Sequence, residues 1–185
     1  MGKKQNEVSW REVLSIEGLD FKKLFEEAMA ANSERALAIV LGSIVQDVIA
    51  DLIAKMLDHP IATLLESDDS FSTFSAIIDL GKAMRLYGEK TRRDLHIVRT
   101  IRNKFAHGFG IRIHDKIVPF SFFKSPIQEK CFELKLVDSE ELTLTNLTDD
   151  RRKNPLQRYK ATCTGISKVL VGTTWTVHRL SPVLP

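Results

Sequence analysis

Cysteine is scarce, with two in 185 residues, Cys131 and Cys163. Two thiols make neither a disulfide framework nor a four-ligand metal site. They are expected to be reduced and buried. His59, His96, His114 and His178 lack ligand spacing with Cys, Asp or Glu, so no zinc site is expected and no cofactor is implied. No phosphate-binding glycine loop is present, because "GFG" at 108–110 reads as a helix stop. No helix-turn-helix or zinc finger is visible, which leaves no device for reading DNA sequence. No apolar run is read as approaching the roughly 20 residues needed to span a bilayer, so no membrane is expected. The N-terminal "MGKKQNEVSWREVLSIEG" has two lysines but no apolar segment after them, which argues against a signal peptide. A cytoplasmic location follows as an expectation. Repeats and low-complexity segments are lacking too.

What is present is a hydrophobic fraction of 43%, ordinary for a folded chain. The length suits one domain with a core of useful size. We expect an arm over 1–18 and a single helical domain over 19–185. Net charge is only +3, yet it is unevenly spread. Between Lys82 and Arg112 stand nine Lys and Arg against Glu89 and Asp94, a local balance of +7 that leaves −4 elsewhere. Such clustering marks either a solvated helix surface or a footprint for phosphate or an acidic partner.

Apolar periodicity predicts a mainly α chain. "LDFKKLFEEAMAA" (19–31) reads as a short amphipathic helix. Asn32 or Ser33 can cap the next, 34–57, with Leu37, Val40, Leu41, Ile44, Val48 and Leu52 inward. Asp47 lies near its apolar side and needs a partner if buried. Pro60 breaks the pattern, and "SDDS" offers a cap for a helix over 71–86, with Phe74, Ile77, Ile78, Gly81 and Met84 inward. A fourth helix runs from about Thr91 to Ala106 and stops at Gly108. Alternation around Ile111 and Ile113 predicts extended chain, a small irregular or β insert with room for a short hairpin. Ser125 as cap, Pro126 at the first helical position and Gln128 predict a short helix after it. A polar loop over 138–154 includes a candidate strand at 142–145. The last helix is expected over 155–180, although β-branched residues weaken it.

The fourth helix has two faces. With Arg92 at zero and about 100° per residue, Leu95, Val98, Ile101 and Phe105 fill one arc. Arg92, His96, Arg99, Asn103 and His107 fill a second arc, a candidate binding face. Arg102 falls near 280°, inside the edge of the apolar arc. An unpaired buried guanidinium is costly. Arg102 therefore either pairs with a carboxylate, for which Glu34, Asp47 and Asp79 are candidates, or faces a site that receives an anion. His107 is either a C-terminal cap bonding the last carbonyls or a proton-transfer group. An arginine and a histidine facing one groove can perform metal-free phosphodiester chemistry: one moves a proton, the other holds the growing phosphate charge.

"RNKFAH" (102–107) resembles the arginine, four residues, histidine pattern of HEPN domains, helical modules associated with nucleotides and RNA. "SERALAIVLGSIVQDVIADLI", "DSFSTFSAIIDLGKAMRLYGE" and "RRDLHIVRTIRNKFAHGF" resemble, in order and spacing, the mannitol operon repressor (MtlR-like) branch of that superfamily. The resemblance covers roughly residues 30–110 and continues loosely through "FSFFKSPIQEKCFEL" and "NPLQRYKA". It implies a helical bundle that forms homodimers with the arginine–histidine motifs near a shared cleft. In that branch it implies transcriptional regulation through a protein partner. In active HEPN ribonucleases the corresponding residues, here Arg102, Asn103 and His107, form a metal-independent RNA-cleaving site, which makes RNA the alternative partner.

Overall fold

The computed structural model describes residues 33–57, 73–136 and 153–177, together with 15–16, 19–20, Glu26 and Ala30. Five helices and two small antiparallel sheets appear among the described residues. β1 (Ser15–Ile16) pairs with β2 (Leu19–Asp20), Ser15 opposite Asp20. The expected helix over 19–31 is therefore corrected at its start, which is strand. Glu26 and Ala30 are helical, and the rest of it lies outside the described residues. The candidate strand at 142–145 lies outside them too.

α1 (Glu34–Leu57) is the central helix. Ser33 caps it, its Oγ accepting the Ala36 N–H at 3.3 Å. Leu37, Leu41, Ile44, Val48 and Leu52 are buried as expected, and so are Val45, Ile49 and Ile53 on other sides. The reason is position: α1 packs against α2, α3 and α5 at once. An 18-residue window of α1 reaches a mean hydropathy of 2.0, enough by length and composition to cross a membrane. That corrects the expectation that no run was long enough. The same window is 61% buried within the protein, the property of a core helix.

α2 (Phe74–Ala83) starts later than expected, because Thr73 rather than "SDDS" caps it, accepting the Ala76 N–H at 3.2 Å. Its inward residues Phe74, Ile77, Ile78 and Gly81 are buried, while Met84 lies just past its end. α3 (Glu89–His107) buries Leu95, Val98, Ile101 and Phe105, the arc set by period alone. It stops at Gly108, but not through a left-handed turn, since Gly108 is extended (φ −113°). Space is the requirement there: a Cβ on Gly108 would lie 2.5 Å from the Phe120 ring.

β3 (Gly110–Ile113) and β4 (Lys116–Pro119) form an antiparallel hairpin, Ile111 opposite Val118 and Arg112 opposite Ile117. His114 (φ 44°) and Asp115 (φ 62°) make its two-residue turn. The following segment returns to the core. Phe122 is fully buried, its ring 5.1 Å from Phe105 and 5.2 Å from Tyr159. α4 (Ile127–Phe132) begins two residues after Ser125, with Pro126 in the cap position. Ser125 does not cap it, because its hydroxyl donates to Glu129 Oε1 at 2.7 Å. α5 (Pro155–Val177) opens on Asn154, whose Oδ1 accepts the Gln157 N–H at 3.1 Å. Tyr159 on α5 donates to the Ala38 carbonyl of α1 at 2.8 Å, tying the two central helices. The mainly α expectation, with a small β insert after the 89–107 helix, holds.

Candidate functional site

The C-terminal end of α3 borders an open groove of about 480 Å³ lined by Arg99, Thr100, Asn103, Lys104, His107, Gly108 and Phe120. The five α3 residues share one side because they recur at helical spacing. Phe120 enters from beyond the hairpin, which brings its ring to the end of α3. The Lys104 ammonium lies 5.9 Å from its centroid, and Phe105 packs against it edge-on at 6.2 Å. The groove is thus cationic, with a histidine at one end and an aromatic wall.

Arg102 does not line the groove. Its stem runs between α3 and α1 at Gly42, where an added Cβ would lie 2.7 Å from Arg102 Cβ and Cγ. Its guanidinium donates to Asn103 Oδ1 at 2.8 Å and to Gln46 Oε1 at 3.3 Å, while its Nε is buried without a partner. Among the described residues no carboxylate pairs with it. The expected ion-pair partners are therefore corrected individually. Glu34 accepts the Phe122 backbone N–H at 2.7 Å. Asp79 takes Arg92 at 2.7 Å. Asp47 lies close enough to Arg102 to feel its charge. Crowding by protein on one side raises its carboxyl pKa, and the Arg102 charge opposes that rise, although the residue is open to solvent on the other side. A neutral amide pair replaces the expected carboxylate because Gln46, not Asp47, is the α1 residue that points at Arg102.

Asn103 links Arg102 to the groove, since its Oδ1 accepts from the guanidinium while the residue lines the groove. Arg99 also lines the groove, and its Nε is buried without a partner. Arg92 and His96 do not join it. They stand nearer the start of α3, where Arg92 bonds Asp79 and Glu89, and His96 Nε2 lies 3.4 Å from Asp79. The Arg92 hydrogen bond is the main reason the Asp79 carboxyl is held below the ordinary value. Of that five-residue face, then, the groove contains Arg99, Asn103 and His107, and not Arg92 or His96.

His107 ends α3 and is exposed. The cap role considered for it belongs to Arg35 of α1, which donates to the Ala106 carbonyl at 3.1 Å and to that of Gly108 at 3.3 Å. No local pattern announces Arg35, because it lies 71 residues or more away in the chain. Asp94 was likewise missed. It is fully buried on α3 and accepts the backbone N–H groups of Lys135 and Leu136 at 2.8 to 3.1 Å. Arg158 completes that clamp from α5, donating to the carbonyls of Cys131 (3.0 Å) and Leu134 (2.5 Å). Both cysteines are buried and unpaired, and burial pushes the Cys131 thiol up to about 12. Among the described residues no group of three or more His, Cys, Asp and Glu is placed to hold a metal.

Fold and site together define a mainly helical bundle, built on a central apolar helix, with a hairpin and a cationic groove at one end of α3. No family model and no curated protein matches the chain. Among solved structures it is similar to a chain of the MtlR–HPr complex from Escherichia coli, with a TM-score of 0.51 and 14% identity. The match covers 84% of this chain and 96% of that one. The likeness is one of fold, and the fold is MtlR-like.

Proposed function

We propose that this chain is a mannitol-repressor-like regulatory protein, a dimeric cytoplasmic module that acts on transcription by docking a protein partner. The observation that carries the reading is the MtlR-like fold, since MtlR itself was crystallised in complex with another protein, HPr. Agreement of this fold with the order of motifs in the sequence supports it further. Light scattering on the purified chain tests the dimer, expected at twice 21.0 kDa. Transcript profiling after deletion tests the rest: a changed set of transcripts is expected, restored by the intact gene. An unchanged transcriptome removes the reading.

The groove favours a second reading, a metal-independent endoribonuclease. Asn103, Lys104, Arg99 and His107 converge on one open cationic space, and Asn103 is bonded to Arg102. In this reading His107 moves a proton at the 2′-hydroxyl or leaving oxygen, and Asn103, held in place by Arg102, receives the phosphate charge beside Arg99. Labelled RNA incubated in EDTA is then cut by the wild type and by neither His107→Ala nor Arg102→Ala. Intact RNA at every protein concentration discards it.

A further inference from the structure

We propose that the β3–β4 hairpin, beside the cationic end of α3, is the surface that docks the partner, and that the partner offers an acidic protein surface bearing apolar side chains. The inference rests on the partner-docking reading and adds the place and the chemistry.

Among the described residues seven large hydrophobic residues are exposed, and three fall within nine positions: Phe109 (78% exposed), Ile113 (48%) and Ile117 (57%). Arg112 stands opposite Ile117 and Ile113 opposite Lys116. Opposed residues of an antiparallel pair share a face, so Ile113 and Lys116 stand on one face, beside half-buried Ile111 and Val118, and Ile117 and Arg112 on the other. From Arg99 to Lys124 there are six Lys and Arg against a single acid, Asp115. Arg35 adds a further cation, 5.4 Å from the Phe109 ring centroid. Exposed apolar side chains beside charged ones suit a protein interface. The sign of those charges selects acidic partners and rejects basic ones. It also opposes a second copy of this hairpin, whose like charges would meet, and Pro119 removes one donor from the β4 edge. Isoleucine offers a nucleic acid neither a stacking face nor a hydrogen bond, so Ile113 and Ile117 set the hairpin apart from the groove.

The test uses the full chain and three labelled probes: a 12-residue alternating Leu/Glu peptide, its Leu/Lys counterpart and a 12-nucleotide oligouridine. Fluorescence anisotropy is expected to show binding of the Leu/Glu peptide only. Arg112→Glu with Lys116→Glu should weaken it at least tenfold, as should Ile113→Ser with Ile117→Ser, both with unchanged circular dichroism. Equal binding of the Leu/Lys peptide overturns the proposal, as does oligouridine that displaces the Leu/Glu peptide. In cells, p-benzoylphenylalanine replaces Ile117 or the exposed Ala83 at the end of α2. A protein adduct at 117 that is heavier or lighter than a second copy, and lost in the Glu variant, supports the hairpin. An adduct at 83 but not at 117 overturns the hairpin while leaving the docking reading standing. No protein adduct at either position overturns both.

Discussion

Gly42 and Arg102 show how one missing side chain makes room for a charged one. Helix α3 approaches α1 so closely there that a Cβ on Gly42 would meet the first two carbons of Arg102 at 2.7 Å. Those carbons belong to the stem, which cannot swing away as the far end of the side chain could. Gly42→Ala is therefore expected to lower stability by about 1–3 kcal/mol, the usual cost of overpacking. Urea unfolding measures it, and a midpoint equal to wild type would show that the helices separate freely. Asp94 presents the opposite problem, a charge held inside by backbone donors. Burial is the larger influence and raises its pKa from the model-peptide value of 3.8, while the Leu136 and Lys135 N–H groups oppose it. An acid with a raised folded-state pKa binds its proton more tightly folded than unfolded. Its contribution to stability is therefore greatest below 3.8 and declines as pH climbs through the raised value. Carboxyl-carbon NMR should place the Asp94 midpoint above 3.8, and Asp94→Asn should remove that part of the pH dependence of unfolding. A midpoint at or below 3.8 would mean that the N–H bonds outweigh burial.

At the scale of elements, the hairpin carries the least comfortable backbone among the described residues. His114 and Asp115 both have positive φ, as a type I′ turn demands, and neither is glycine. An L-residue in that region costs about 1–2 kcal/mol, less for Asp, which tolerates it better. Asp115→Gly should accordingly stabilise the hairpin by about 0.5–1 kcal/mol, read as slower hydrogen exchange at the Ile111 and Val118 amides, which form a hydrogen-bonded pair of the ladder. Faster exchange would show that Asp115 earns its place through contacts rather than conformation. The helices differ in how plainly the sequence announces them. The period of 3.6 in α3 picks out Leu95, Val98, Ile101 and Phe105, all buried, but passes over Ile97 and Asp94, which are buried too. α1 touches neighbours on several sides, so a one-face pattern finds Leu41 and Val48 but passes over Val45 and Ile49. α4 was placed correctly while its cap was not, because Ser125 has a side-chain partner in Glu129 that competes for its hydroxyl.

Across the whole molecule, the residues that escaped sequence reasoning are those whose partners are distant in the chain. The groove-facing row of α3 could be read from spacing, yet its aromatic wall, Phe120, and the capping Arg35 come from other elements. The Arg102 environment was anticipated as to cost and mistaken as to partner, since charge logic points to Asp47 whereas geometry delivers Gln46. One segment concentrates this long-range dependence. Phe122 brings the chain back from the hairpin, packs its ring between Phe105 of α3 and Tyr159 of α5, and has its N–H held by Glu34 of α1. Three helices thus meet at one residue, and Phe120 of the groove lies two positions before it. Phe122→Ala should cost about 3–5 kcal/mol, because the site is enclosed on all sides and has little freedom to collapse. That is a large share of the roughly 5–15 kcal/mol that holds a typical domain together. Phe123→Ala, one residue on but 49% exposed, should stay within about 0.5 kcal/mol. Urea midpoints for the pair decide it: similar losses in both would mean that the segment follows the hairpin rather than anchoring it. A loss confined to Phe122→Ala would tie the shape of the groove to the core.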